Sequence, residues 1–191
     1  RLIALLRVLV LTDIDDSDSD FYISFNALIN ALSQSGIKPD IFFIKKEIVK
    51  PCVSCYSCWI KSPGSCRIKD SIDNLSKLFF HADLFIIFAR IDFGCYSAEI
   101  KKCLERLIPN MLPFFEDRQN KMYHAPRYRK YPEYIMIGYA EHMSEEEKKL
   151  FAALTSLNAV NMHRDKHRHF IIEKNQTIDF HSLLNNSLIK L

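Results

Sequence analysis

Four of the chain's six cysteines lie in one short stretch, PCVSCYSCWIKSPGSC, at positions 51–66. They are Cys52, Cys55, Cys58 and Cys66, with the spacing Cys-x2-Cys-x2-Cys-x7-Cys. Three cysteines at such short intervals with a fourth nearby are typical of an iron–sulfur site, whereas zinc sites usually have two Cys-x2-Cys pairs further apart. The spacing predicts the four ligands of a [4Fe–4S] cluster. The alternative is four reduced thiols in a loop that packs against a partner subunit.

A run of aspartates, TDIDDSDSD at positions 12–20, is the second stretch whose residue types could do chemistry. It follows an apolar run that predicts a strand, so it lies where a parallel α/β fold binds its ligands. No lysine or arginine occurs between Arg7 and Lys38. One interpretation is an aspartate-based phosphatase, with Asp13 as the nucleophile and Asp15 as the acid/base beside magnesium. That chemistry needs a later acidic pair for the metal, which the chain does not offer.

The composition is that of an ordinary globular protein, with 191 residues, 48% apolar and 26% charged. We expect one domain over residues 1–191. The net charge of +3 is too small to indicate nucleic acid, and no segment is apolar enough to predict a membrane span. We therefore expect a cytoplasmic protein that binds neither nucleic acid nor a membrane. In that compartment its thiols are expected to be free or metal-bound. The basic and aromatic stretch at 120–131 is interpreted as a solvated loop edge.

Apolar runs and amphipathic segments alternate along the chain. The runs near 3–11, 41–44, 84–88, 134–138 and 169–173 predict five buried strands. Ser97 is placed to cap the helix after the third strand, and SEEE at 144–147 is a capping box. The alternation predicts a five-stranded parallel sheet with helices on both faces.

The stretch after the third run, IIFARIDFGCYSAEIKKCLERL at 86–107, carries a family resemblance. It resembles the loop that holds the flavin ring in the flavodoxin-like NAD(P)H-dependent FMN reductases, most closely in their iron–sulfur flavoprotein branch. The cysteine stretch and HAPRYRKYPEYIMIG at 124–138 extend the resemblance over roughly residues 50–160. Ala89, Arg90 and Asp92 stand where that branch has threonine, proline and tyrosine. The residues that match as they stand are Phe93, Gly94, Ser97, Ala98, Lys101, Lys102 and Arg106.

The resemblance implies a flavodoxin-like three-layer sandwich with strand order 2-1-3-4-5. It also implies an oxidoreductase or electron-transfer flavoprotein that uses FMN, NAD(P)H as electron donor and a small-molecule or protein acceptor, with a [4Fe–4S] cluster at the cysteines. Relatives of this kind form homodimers or homotetramers. The residues expected to contact the flavin are Thr12, Ser17, Ser19, Ala89, Arg90, Ile91, Asp92, Phe93, Gly94, Gly138 and Tyr139.

The acidic run conflicts with part of this expectation, because the flavin phosphate would dock there. A carboxylate about 6 Å from a phosphate costs on the order of 1 kcal/mol at an intermediate effective dielectric. We therefore expect weak FMN binding. A second hypothesis is a flavodoxin-like domain that has lost its flavin and serves as a binding or assembly module, with Arg90 paired to Asp92 instead.

Overall fold

Strands and helices alternate along most of the chain. The computed structural model describes residues 6–15, 17–118, 120–164 and 167–188. The strands are β1 (Val8–Thr12), β2 (Asp40–Phe43), β3 (Leu84–Asp92), β4 (Cys95–Tyr96), β5 (Met111–Arg118), β6 (Lys121–Pro126), β7 (Glu133–Ala140) and β8 (Arg168–Glu173). The helices are α1 (Ser19–Gln34), α2 (Ser57–Ile60), α3 (Ile72–His81), α4 (Ala98–Arg106), α5 (Glu145–Asn161) and α6 (Phe180–Leu188), with 3₁₀ turns at Ile44–Lys46 and Ile108–Asn110.

The central sheet runs in the order β2-β1-β3-β7-β8, and each of these neighbouring pairs is parallel. The predicted α/β class with a five-stranded parallel sheet is confirmed, and its five strands follow one another as expected. The sheet differs in detail. Strand β4 pairs antiparallel with the end of β3, and β5 and β6 form a separate two-stranded sheet, so Lys121–Pro126 is a strand and not a loop edge.

Helices cover both faces of the sheet. One apolar core packs Leu28 of α1 and Leu184 of α6 against β1, β3 and β7. The other packs Leu75 of α3, Ile100 of α4 and Phe151 of α5 against the opposite face. The strands between the two cores are buried on both sides, which explains their nearly continuous apolar sequence. Within the described residues, no helix combines the length and the apolar character needed to cross a bilayer.

Two strands extend further than their apolar runs predict. The β3–β7 ladder continues through the pairs Ala89–Gly138 and Arg90–Tyr139. Strand β3 then continues to Asp92 because its last residues pair with β4. The segments expected as flavin-binding loops at 89–92 and 138–139 are therefore strand ends. Strand β1 begins at Val8, and residues 3–5 of the strand predicted near 3–11 lie outside the described residues.

Candidate functional site

A cleft of about 520 Å³ opens where the carboxyl ends of β1, β3 and β7 meet. This is the edge at which open parallel sheets bind ligands. Residues from the segment after β1, from the end of β3 and from the end of β7 share its wall. The predicted flavin residues that line it are Ser17, Arg90, Ile91, Asp92 and Tyr139.

Three predicted residues lie beneath the cleft rather than in its wall. Thr12 and Ala89 are fully buried in β1 and β3. Gly138 is needed for packing, since a Cβ atom there would lie 2.3 Å from Ile91 Cδ1 and 2.7 Å from Phe151 Cζ. A larger residue at this position would push Ile91 out of place. These three predicted residues are therefore packed in the sheet and do not line the cleft.

Phe93 and Gly94 form the turn between β3 and β4. Phe93 has a φ of 52°, which is uncommon for a residue with a side chain, and its ring is 90% exposed. Gly94 has a φ of 73°, and a Cβ atom there would lie 3.1 Å from the carbonyl oxygen of Glu147. The turn therefore presents an aromatic ring to solvent beside the cleft while its glycine packs against the start of α5.

Asp13 joins the elements that build the site. Its carboxylate is 2% exposed and accepts hydrogen bonds from the Arg90 backbone N–H at 3.0 Å and from the Tyr139 hydroxyl at 3.2 Å. The Ser97 hydroxyl donates to its other oxygen. Burial raises the pKa of Asp13 above its ordinary value, although these donors act in the opposite direction. A carboxylate so buried and engaged is poorly suited to be a nucleophile, which argues against the phosphatase interpretation.

Ser97 has a second role at the start of α4. Its hydroxyl oxygen accepts from the Ile100 backbone N–H at 3.4 Å, so it caps the helix as the sequence predicts. The capping box at Ser144 and Glu147 is also present. The cap at Ser97 and the bond to Asp13 together fix the start of α4 relative to the end of β1.

The acidic loop has a cation that sequence distance conceals. Lys45, in the 3₁₀ turn after β2, places its Nζ 2.5 Å from Asp15 Oδ2 and 3.6 Å from Asp18 Oδ2. The hydrogen bond from Lys45 is the main reason that the pKa of Asp15 lies well below its usual range. At α1, Asp20 pairs with Lys174 at 3.0 Å. The absence of lysine and arginine between Arg7 and Lys38 therefore does not leave the loop without a cation, and the strand order β2-β1 was the signal that could have found Lys45.

The loop's own carboxylates occupy donors that a phosphate would use. Asp15 Oδ1 accepts from the Ser17 backbone N–H at 2.9 Å and from the Ser17 hydroxyl. Asp18 Oδ2 accepts from the Asp15 backbone N–H at 3.3 Å. Thr12 Oγ1 accepts from the Ile14 N–H at 3.1 Å. Asp16 and the side chain of Ser19 lie outside the described residues. The Asp15–Lys45 pair therefore occupies the position where the resemblance leads us to expect the FMN phosphate.

Arg90 and Asp92 form a two-point ion pair on the wall of the cleft. Arg90 Nε lies 3.0 Å from Asp92 Oδ1, and Nη2 donates to Oδ2 at 3.1 Å. Both side chains are partly exposed, at 49% and 40%, so solvent screens the pair and its contribution to stability is small. Arg90 can therefore exchange Asp92 for another partner at low cost.

The four predicted cluster ligands lie around one cavity of about 100 Å³, together with Arg67 and Arg106. All six cysteines are free thiols. Within the part of the chain that the structure describes, no three histidine, cysteine or acidic side chains are arranged to hold a metal ion. Cys52, Cys55, Cys58 and Cys66 therefore share a cavity without forming a metal site, and their role as ligands stays a prediction.

The thiols in this cavity have different environments. The pKa of Cys55, which is exposed, is lowered chiefly by the backbone N–H of Ser57. Burial raises the pKa of Cys58. Ser54 and Tyr56, on either side of Cys55, have φ values of 48° and 53°, a conformation that costs about 1 kcal/mol or more for a residue with a side chain. The backbone around Cys55 is therefore held in an unfavourable conformation by its surroundings.

A buried ion pair attaches the cysteine stretch to α4. Arg106 Nη1 and Nη2 donate to the two oxygens of Asp70 at 2.9 and 3.0 Å. The same guanidinium donates to the carbonyl oxygens of Lys50 and Ile68 at 2.6 and 3.1 Å. The side chains of the pair are 1% and 2% exposed. Arg106 was predicted only as a residue matching a family pattern, and the structure shows that it holds both ends of the cysteine stretch.

Two curated proteins are similar to part of this chain. An iron–sulfur flavoprotein of Methanocaldococcus jannaschii is 30% identical over 86 residues, which is 45% of this chain and 44% of that protein. One of Methanosarcina thermophila is 29% identical over 82 residues, 43% of this chain and 42% of that protein. The chain is similar to the iron–sulfur flavoproteins. The resemblance predicted from the sequence is confirmed, over less than half the length of each curated relative. No protein-family model matches the chain.

Solved structures agree on the fold. An NAD(P)H:quinone oxidoreductase from Methanothermobacter marburgensis superposes with a TM-score of 0.66 at 13% identity, over 98% of this chain and 94% of that one. An FMN-dependent NADH-azoreductase from Bacillus anthracis gives 0.63 at 9% identity, over 96% and 95%. At such low identity these matches establish the flavodoxin-like fold alone.

Proposed function

We propose that the protein is a flavin-dependent oxidoreductase of the iron–sulfur flavoprotein type, with the flavin ring in the cleft at the ends of β1, β3 and β7. The observation that carries the proposal is the convergence of the segment after β1 and the ends of β3 and β7 on one cleft of ligand size. Similarity to the iron–sulfur flavoproteins supports it.

The residues around the cleft suit the ring of a flavin. Ile91 and Tyr139 supply apolar and aromatic surface, and Arg90 supplies a guanidinium held only by an exposed pair. On leaving Asp92, the guanidinium would donate to the ring carbonyls or to the anionic reduced ring. Phe93 offers an exposed aromatic surface at the rim. These side chains would bind and orient the ring and shield it from water.

The loop after β1 suits the FMN phosphate less well. The N–H groups of Asp15 and Ser17 already donate to carboxylates of the loop, and Lys45 is already paired. A phosphate would have to displace Asp15 and would face Asp18. We therefore propose that the ring supplies most of the binding energy and that the phosphate adds little in the parent protein.

A flavin bound here would supply two-electron and one-electron transfer between NAD(P)H and an acceptor, which is a small molecule or a protein. The chain's own residues would position the ring. Asp13 holds the ends of β1, β3 and β7 and the start of α4 in register through its three donors. We assign no side chain as acid or base.

We further propose that Cys52, Cys55, Cys58 and Cys66 hold a [4Fe–4S] cluster, which would exchange electrons with the flavin. Their shared cavity and the compact spacing support this. We also propose that the protein acts in the cytoplasm as a homodimer or homotetramer.

The proposed function is tested by purifying the protein anaerobically with riboflavin or FMN added and recording its visible spectrum during NADH and NADPH addition. We expect flavin absorbance that co-purifies with the protein and is bleached by one of the nucleotides. Protein that retains neither flavin and is unchanged by both nucleotides would contradict the proposal.

A further inference from the structure

His142 lies in the segment between β7 and α5 and lines the cleft at the strand ends. Its side chain is 87% exposed. The Nδ1 atom lies 3.4 Å from Oε1 of Glu173, at the end of β8, so this carboxylate favours the protonated imidazole. The other ring nitrogen, Nε2, makes no hydrogen bond to any residue that the structure describes. It is therefore available to a ligand in the cleft.

The Glu173 carboxylate is itself held in place by two other groups. Its Oε1 accepts a hydrogen bond from the Met143 backbone N–H at 2.9 Å. Its Oε2 lies 3.0 Å from Nζ of Lys148 in α5, and the Glu173 side chain is 14% exposed. The carboxylate is thus fixed between β8 and the start of α5, and it gives the exposed imidazole of His142 a fixed partner.

The other titratable side chains of the cleft wall are poorly suited to give up a proton near neutral pH. Ionised carboxylates accept hydrogen bonds and have no proton to give. Hydrogen bonds to carboxylates raise the pKa of Arg90 and of Lys174 above ordinary values that are already high. Burial raises the pKa of Tyr139. Among the described wall residues, His142 is therefore the proton donor that remains, because imidazole gains and loses its proton near neutrality.

Positioning a flavin requires no acid or base, but an acceptor reduced in this cleft requires a proton. A neutral acceptor becomes an anion when it receives a hydride, which NAD(P)H supplies through the proposed flavin site. A positioned acid speeds the protonation of such an anion. An acceptor that takes up single electrons needs no proton from the protein. The presence of a proton donor in the wall therefore favours an acceptor of the first kind.

We propose that His142 is this proton donor and that the acceptor is a small, neutral molecule that takes up a hydride and a proton. The inference rests on the proposed function. The N–H bond at Nε2 of the imidazolium breaks, its electron pair stays on the nitrogen, and the proton forms a new O–H or N–H bond on the acceptor. Solvent then returns a proton to the exposed imidazole beside Glu173. The acceptor gains two electrons and two hydrogen nuclei in each turnover.

The test compares two acceptors with flavin-loaded protein and NADH or NADPH. Duroquinone takes up a hydride and a proton, and its fully methylated ring does not add the chain's thiols. Ferricyanide takes up one electron and no proton. In His142→Ala, the rate with duroquinone should fall by at least about tenfold, whereas the rate with ferricyanide should change by less than about threefold. Because the His142 side chain is exposed, added imidazole should enter its place and restore most of the rate with duroquinone.

A control variant and a binding measurement complete the test. His181→Ala makes the same change at an exposed position of α6 outside the cleft, and it should leave both rates unchanged. In the oxidised parent without NAD(P)H, duroquinone should shift the imidazole NMR resonances of His142, which are assigned by their loss in His142→Ala, and should not shift those of His181.

Three results would overturn this inference alone. They are an equal change with both acceptors in His142→Ala, no rescue by imidazole, and no shift of the His142 resonances. A parent that neither retains flavin nor is reduced by NADH or NADPH would contradict the proposed function as well, and this inference with it.

Discussion

In the proposed function, Asp15 is the carboxylate that the FMN phosphate would have to displace from the loop after β1. Its carboxylate accepts the Ser17 N–H and pairs with Lys45, so one side chain occupies both a backbone donor and the cation of the site. Removing its charge while keeping its shape would release Lys45. The lysine would then attract a phosphate that the parent loop repels.

The first prediction follows for Asp15→Asn. We expect the variant to bind FMN about fivefold more tightly than the parent does, while riboflavin affinity changes little because riboflavin carries no phosphate. Titrating both flavins by fluorescence quenching measures the ratio of the two affinities. Asp73→Asn is the control. It removes the charge of an α3 aspartate that pairs with Lys69 and does not line the cleft, so it should leave the ratio of FMN to riboflavin affinity unchanged. An unchanged ratio in Asp15→Asn would place the phosphate elsewhere.

The second prediction concerns Gly138, near the end of β7. Gly138→Ala should lower the free energy of unfolding by about 1–3 kcal/mol, because the new methyl group would overlap Ile91 and Phe151. Adding Ile91→Val removes the atom that a Cβ would approach to 2.3 Å and should recover part of the loss. Urea unfolding of the two single variants and the double variant measures this. Purely additive losses would show that Ile91 is not the obstacle.

Single residues were predictable where the determinant is local. Ser97 caps α4 as expected because a cap involves residues three positions apart. Lys45 was missed because its partner Asp15 lies 30 residues away, and only the pairing of β2 with β1 brings the two together. The candidate flavin residues at 89–92 stay a prediction. The sequence left open whether Arg90 pairs with Asp92, and the coordinates show that it does.

Among the elements, the cysteine stretch depends most on one contact. Arg106 pairs with Asp70 and donates to the backbone carbonyls of Lys50 and Ile68, which flank that stretch, in a buried position. Removing one member of a buried ion pair leaves the other uncompensated. The third prediction is that Arg106→Met lowers the free energy of unfolding by about 3 kcal/mol. Lys102→Met, a change in a partly exposed pair of the same helix, should cost less than about 1 kcal/mol. Equal losses in the two variants would contradict this role.

The Arg106–Asp70 pair also predicts that the free energy of unfolding depends on pH. Burial alone would raise the pKa of Asp70, but the hydrogen bonds from Arg106 and from backbone N–H groups hold it below its usual value. The folded-state pKa is thus lower than the unfolded value of about 3.9. The stabilisation is present above about pH 4 and is lost as the pH falls through the folded value. Asp70→Asn should therefore be less stable than the parent at pH 7, and urea unfolding should show the difference narrowing at pH 3. A constant difference would exclude this linkage.

The fourth prediction concerns the four thiols around the small cavity. Protein prepared and reconstituted anaerobically should carry about four irons per chain, as a [4Fe–4S] cluster requires. Cys55→Ser should lose the iron without unfolding, because Cys55 is exposed. Cys95→Ser, outside the cysteine stretch, should retain the iron. Iron and zinc analysis of the three proteins decides the matter, and zinc or no metal in the reconstituted parent would reject the cluster.

Element boundaries were predictable only where hydrophobicity marks them. The buried runs of β3 and β7 were recognised, but their ends were not, since Arg90, Asp92 and Tyr139 were interpreted as loop residues. The β5–β6 hairpin was missed because Pro113 and several charged residues interrupt any alternating pattern. Polar residues at the end of a strand are held there by ladder pairing and by Asp13, which the local sequence does not reveal.

For the whole molecule, the alternation of strands and helices was sufficient to predict the architecture. Right-handed crossovers and buried strands leave few arrangements for such a chain, and the observed order β2-β1-β3-β7-β8 is one of them. That order places the ends of β1, β3 and β7 side by side and so creates the cleft. The location of the cleft is therefore a consequence of topology, whereas the charge balance of the loop beside it depends on particular residues such as Lys45.

The central claim is that this cleft binds a flavin ring, and riboflavin fluorescence quenching tests it most directly. Ala140 lines the cleft and is 7% exposed, so Ala140→Phe should fill part of the space for the ring. Ala153→Phe makes the same change on the exposed surface of α5, and thermal unfolding shows whether each variant is folded. We predict that the parent and Ala153→Phe quench riboflavin fluorescence with similar affinity. Folded Ala140→Phe should bind riboflavin at least tenfold more weakly than the parent. No quenching by the parent, or equal quenching by all three proteins, would contradict the claim.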